Sequence, residues 1–65
     1  MDNSTAENED LLIFYGWKPK DFVVVERHNG HREIARITEI GSWGVQVRFG
    51  DGWYGKRRVR DIEPV

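Results

Sequence analysis

The sequence predicts a small all-β domain, five short strands closing into a barrel behind a short N-terminal extension that can hold one helix. Three observations carry this prediction. Runs of β-branched and aromatic residues recur at strand length from Asp21 onward. Asn29-Gly30 and Gly50-Asp51-Gly52 stand between such runs, and Asn-Gly is the strongest short hairpin signal because it accepts positive φ at both central positions. The chain has 65 residues and no cysteine, so it holds one thin, unstapled core; a domain this short buries only roughly 60% of the surface its unfolded chain exposes. Closing a strongly bent sheet on itself is then the economical way to bury Val, Ile and Phe faces and remove edges.

The elements follow in order. Residues 1–10 are polar and acidic and read as a disordered or helical lead-in. Ser4-Thr5-Ala6-Glu7 has capping-box spacing ahead of Leu11-Leu12-Ile13-Phe14-Tyr15, which allows a helix of two to three turns ending near Gly16. Residues 11–18 are too apolar to remain in water and pack on the domain, with Trp17 as the pin. The barrel itself spans residues 19–65. Asp21 to Arg27 is the first strand and Arg32 to Ile40 the second. The apolar residues of the second strand do not alternate cleanly, so a β-bulge near Thr38 is needed to put Ala35, Ile37 and Ile40 on one side. Val45-Gln46-Val47-Arg48-Phe49 alternates strictly and is the clearest strand. Trp53 to Val59, interrupted by Gly55, forms the fourth. Arg60-Asp61-Ile62 suits a 3₁₀ turn, and Glu63-Pro64-Val65 a closing edge strand where proline is tolerated.

This string resembles the Src-homology-3-like small barrels, in particular their Tudor and KOW-type branch. The likeness rests on Lys20-Asp21-Phe22-Val23-Val24-Val25, Ala35-Arg36-Ile37-Thr38-Glu39-Ile40, Val45-Gln46-Val47-Arg48-Phe49-Gly50-Asp51-Gly52 and Val59-Arg60-Asp61-Ile62-Glu63-Pro64-Val65, and covers about residues 19–65. It implies a five-stranded barrel ending in a 3₁₀ turn and a short fifth strand. Ala35 stands where KOW segments usually carry glycine. A Tudor-type cage would draw on Trp43, Phe49, Trp53 and Tyr54, although Phe49 belongs to the core by its alternation. Phe22, Arg27, Ala35 and Lys56-Arg57-Arg58 are also similar to the DNA-binding C-terminal barrel of retroviral integrases.

Charge is unevenly distributed. Residues 1–10 carry Asp2, Glu7, Glu9 and Asp10 and no base, whereas the remainder carries 10 Lys/Arg against 7 Asp/Glu, which makes −4 and +3 and returns the overall −1. An acidic tail on a mildly basic domain allows an acidic partner for the domain, and the tail can either mask that basic face or dock on a basic partner. The N-terminus has no basic region followed by an apolar one, and the apolar run Leu11–Tyr15 is far too short to span a bilayer. A cytoplasmic location without membrane contact is the expectation.

The candidate site centres on Lys56-Arg57-Arg58-Val59-Arg60. Alternate strand residues face opposite ways, so with Val59 inward Arg57 takes the inner rim and Arg58 and Arg60 face out. Arg48 extends this set from a neighbouring strand, and Trp43 and Tyr54 supply flanking aromatics. Arginine beside exposed aromatics makes a stacking platform for DNA or RNA, or hot-spot residues for a protein partner. The plainer reading of the charges is protection of an edge strand against aggregation, and that of Trp53 is a plug for the barrel end. Arg27, His28, His31 and Arg32 surround the first hairpin and form a second candidate patch, or simply solvated turn flanks. Nothing supports catalysis, a metal or another cofactor: there is no Cys–His or Ser–His–acid arrangement, no paired carboxylates in a cleft, and no phosphate-cradling glycine loop. The expected function is a non-catalytic binding module with no small-molecule substrate. Nucleic acid is the leading partner, and a protein partner of a small accessory or phage-type regulator is the alternative.

Overall fold

A computed structural model describes residues 4–27 and 29–65. The elements are a helix α1 (Ser4–Tyr15), strands β1 (Phe22–Glu26), β2 (Arg32–Gly41), β3 (Gly44–Arg48) and β4 (Tyr54–Arg57), a 3₁₀ turn (Val59–Asp61) and strand β5 (Ile62–Pro64). They build a five-stranded antiparallel sheet in the order β4-β3-β2-β1-β5. Strands β1 to β4 are a meander, and β5 returns to the free edge of β1.

The first hairpin is symmetric about Asn29, pairing Phe22 with Arg36, Val24 with Ile34 and Glu26 with Arg32. Gly30 takes φ +81° and the Asn29 side chain accepts the His31 N–H at 3.0 Å, which is the local chemistry the Asn-Gly turn requires. In β2 the register against β3 shifts between Ile37 and Glu39. Thr38 is the extra residue, and its hydroxyl donates to the Gln46 carbonyl at 3.2 Å. The bulge keeps Ala35, Ile37 and Ile40 on the core side, as the broken alternation demands.

The core comprises Val23, Val25, Ala35, Ile37, Val45, Val47, Phe49, Val59 and Ile62, one face of the sheet plus the 3₁₀ turn. Full burial of each Val, Ile or Phe stabilises the fold by about 1.5–3 kcal/mol before chain entropy is counted. Because side chains alternate, the register simultaneously puts Phe22, Val24, Ile34, Arg36, Gln46, Arg48, Tyr54 and Lys56 on the opposite, outer face.

The sheet is not closed, which corrects the expected barrel. β4 and β5 lie at opposite edges of the strand order and do not pair. β4 has four residues, and β5 has three including Pro64, which brings no N–H. The helix supplies cover that closure would have provided. Leu11, Leu12, Trp17 and Ile40 pack half-buried against the core, and Asn8 is wholly buried. The Asn8 amide donates to the Ser42 carbonyl and accepts the Val59 N–H, both at 3.1 Å, so one side chain ties α1 to the β2–β3 turn and the 3₁₀ turn. The helix ends at Gly16, whose φ of +68° and N–H bond to the Leu12 carbonyl at 2.8 Å form a left-handed C-cap. Trp17 then stacks on Tyr15 with ring centroids 4.2 Å apart.

Candidate nucleic-acid interface

Register builds the site. Phe22 on β1 pairs with Arg36 on β2, Arg36 with Arg48 on β3, and Arg48 with Tyr54 on β4. One row of the outer face therefore reads aromatic, guanidinium, guanidinium, aromatic across four strands. Phe22 and Tyr54 are each 57% exposed, where a buried role would have hidden them. Arg36 and Arg48 lie 5.8 and 5.9 Å from the Phe22 and Tyr54 centroids, at the outer limit of a cation–π contact. The guanidinium groups thus flank the rings and stay exposed to solvent.

The next row differs and carries one acid, one amide and one base. Gln46 pairs with Lys56 on β4 and with Glu39 on β2. The Lys56 ammonium sits 5.2 Å from the centroid of the exposed Trp43 ring. Between the Pro19 turn and this face lies a shallow groove of about 320 Å³ lined by Lys20, Arg36, Thr38, Arg48 and Tyr54 among others. Lys20 holds φ at +82°, a left-handed conformation that strains a non-glycine residue by about 1 kcal/mol or more. Its N–H is fixed to the Ile37 carbonyl at 2.7 Å.

Ion pairing separates these cations from the others. Arg27 binds Asp51 at 2.8 Å and Glu33 at 3.3 Å, Arg32 binds Glu63 at 3.1 Å, and Arg60 lies 4.0 Å from both Glu7 and Asp61. Among the described residues Lys20, Arg36, Arg48, Lys56, Arg57 and Arg58 have no carboxylate within ion-pair distance. Four of these six, Lys20, Arg36, Arg48 and Lys56, belong to the outer face and its groove.

The other sequence-predicted residues separate. Arg57 lies on the core side of β4, 5.9 Å from the Phe49 ring centroid, with its guanidinium donating to the Lys56 and Glu26 carbonyls. Arg58, at the N-cap of the 3₁₀ turn, and Arg60, within it, are exposed. Trp53, expected as a core plug, is 70% exposed in the β3–β4 hairpin. The Arg27 guanidinium, not the indole, caps the Phe49 ring, at 4.3 Å from its centroid. The Arg27–Asp51 bond raises the arginine further, and together with the Trp53 N–H it holds the Asp51 carboxyl below the usual carboxylate range. Phe49 is buried beneath Arg27, the core position its alternation predicts. Of the second patch, Arg27 and Arg32 are neutralised by their carboxylates, His31 is exposed, and His28 lies outside the described residues.

Phe22, Arg36 and Lys20 were missed as site residues. A signal for two of them was present: reflecting the first hairpin about Asn29 sets Phe22 opposite Arg36. No helix among the described residues is long and apolar enough to cross a membrane, and no cluster among them is suited to hold a metal ion. No known protein family, curated protein or solved structure matches the chain.

Proposed function

We propose that this protein is a non-catalytic, cytoplasmic nucleic-acid-binding module whose contact surface is the outer face of the sheet. One observation carries the reading: four cations without a carboxylate partner lie on the face opposite the core and in its groove, beside exposed aromatics. Phosphate contacts need uncompensated Lys and Arg, whereas an arginine already bonded to two carboxylates has little charge to offer. The strained Lys20 supports the same reading, since glycine would fit that backbone more easily and would remove a cation from the groove. The strand order and the 3₁₀ turn before β5 support a kinship with Src-homology-3-like barrels of the Tudor/KOW type, here opened and covered by α1.

If Lys20, Arg36, Arg48 and Lys56 each contact one phosphate of a single strand, log K falls with log salt at a slope of about −3. Raising monovalent salt from about 50 to 200 mM then weakens binding roughly fiftyfold. Fluorescence anisotropy with labelled oligonucleotides measures this directly, and charge-reversal of Arg36 and Arg48 to Glu should abolish it. Absence of binding at low salt refutes the reading.

A specific observation favours a second reading. The exposed Trp53 borders a cleft of about 520 Å³ with Arg27, Phe49, Tyr54, Gly55 and Arg57. A tryptophan beside arginines is the composition of a protein hot spot. Binding of a protein partner that is lost in Trp53→Ala and insensitive to Arg36 and Arg48 would favour it.

A further inference from the structure

The spacing of the outer row identifies the form of nucleic acid, an inference that rests on the nucleic-acid reading above. Phe22 and Tyr54 stand on β1 and β4 with Arg36 and Arg48 on the two strands between. Neighbouring strands are about 4.8 Å apart, so the two aromatic positions are separated by about 14 Å. A B-DNA major groove is about 12 Å wide and admits a helix or a two-stranded ribbon. A row four strands wide exceeds that width.

Side-chain chemistry points the same way. Phenylalanine offers no hydrogen bond to a base edge, and neither ring is drawn into the core: both are more exposed than buried. What an exposed ring offers is a stacking face, and a base reaches it only after leaving its duplex neighbours. In a duplex, successive nucleotides of one strand rise about 3.4 Å. Four such steps cover about 14 Å, so it is the stacking of a base on each ring, which needs bases freed from their duplex neighbours, that calls for a single strand.

We infer that the outer face binds a single strand running across the sheet from β1 to β4, with one base stacked on Phe22, another on Tyr54, and the intervening phosphates on Arg36 and Arg48. Lys20 and Lys56, on the groove and on the next row, hold the backbone on either side. The site is selective for unpaired strands and tolerant of sequence, because every base offers a π-face to Phe22 and Tyr54.

The test compares labelled oligothymidylate with a mixed-sequence single strand and with its duplex, by anisotropy at low and physiological salt. The expected result is at least tenfold preference for either single strand over the duplex. Phe22→Leu and Tyr54→Leu should each weaken single-strand binding about tenfold with the salt slope unchanged. Arg36→Gln and Arg48→Gln should each reduce the slope by about 0.7. Circular dichroism melts check that each variant folds, which these exposed positions permit. Duplex binding equal to or tighter than single-strand binding, or leucine variants that bind like the parent, overturns this inference and leaves the nucleic-acid reading standing. No binding to either form at low salt overturns both.

Discussion

Asn8 offers a sharp test of how α1 is held. Its amide is the buried polar group among the described core residues, and it joins Ser42 and Val59, which are 34 and 51 residues away in sequence. Asn8→Ala leaves the buried Val59 N–H without a partner, a loss of about 1–3 kcal/mol. The Ser42 carbonyl is only part-buried and can turn to water, so its loss adds little. Alanine returns about 0.5 kcal/mol through helix propensity. The net expectation is a destabilisation of about 1.5 kcal/mol, against a total of about 3–10 kcal/mol for a domain of this length. That corresponds to a fall in Tm of roughly 6–12 °C. Thermal melts followed by circular dichroism measure the fall, and hydrogen exchange at the Val59 amide reports the bond itself. A Tm within about 3 °C of the parent, or unchanged protection at Val59, refutes the reasoning. Asn8→Asp is the companion variant. Its carboxylate still accepts from Val59 but opposes the Ser42 carbonyl, so burial raises its folded pKa above the unfolded one. The destabilisation of that variant relative to the parent should therefore be smallest in acid and grow as pH rises. Removal of residues 1–10 deletes Asn8 as well as the acidic charges, so the electrostatic part of the lead-in is better tested by Glu7→Gln, which releases Arg60 and leaves the clasp intact.

Three further outcomes are expected. Asp51 has a lowered folded pKa because Arg27 and the Trp53 N–H hold its charged form; its contribution is present above the unfolded carboxyl pKa and is lost as pH falls through the folded value. Acid titration of Asp51→Asn should accordingly show a shallower loss of stability than the parent over that range, and identical curves would remove Asp51 as the cause. Lys20→Gly should hold or raise Tm, because it relieves a φ of +82°, while weakening oligonucleotide binding several-fold; unchanged binding would detach Lys20 from the site. Gly44→Ala should destabilise by at least about 2 kcal/mol, since a Cβ there meets the Arg57 carbonyl and the φ of +137° excludes most side chains; a urea midpoint like that of the parent would contradict the β3–β4 packing.

Strand positions, hairpin turns and the bulge were legible because they depend on local chemistry. Asn29-Gly30 sets a turn wherever it stands, and the displaced alternation at Ile37-Thr38-Glu39-Ile40 admits one bulged pairing that keeps the core in register. The expected strands agree with β1 to β5 to within a residue or two at most ends, although the 3₁₀ turn begins one residue earlier, at Val59. The helix was legible only as an alternative, since its capping signal is common in Ser- and Glu-rich segments. Its choice was made by Asn8, an ordinary polar residue in sequence that gains its role from two backbone groups arriving from distant parts of the chain.

The candidate site divides in the same way. Sequence alone determined that Arg57 faces away from Lys56 and Arg58, because strand side chains alternate, and that the domain after residue 10 is net basic. It could not decide which cations remain uncompensated. That depends on long-range pairing: Arg27 meets Asp51, and Arg32 meets Glu63, only once all five strands have assembled. Tertiary structure also decided that Trp53 stays outside while Arg27 covers Phe49, and that the sheet stays open with α1 packed against the core. Turns and alternation are fixed within a few residues of backbone. The face a ligand meets is fixed by which charges neutralise one another across the sheet, and that is settled only when the strands come together.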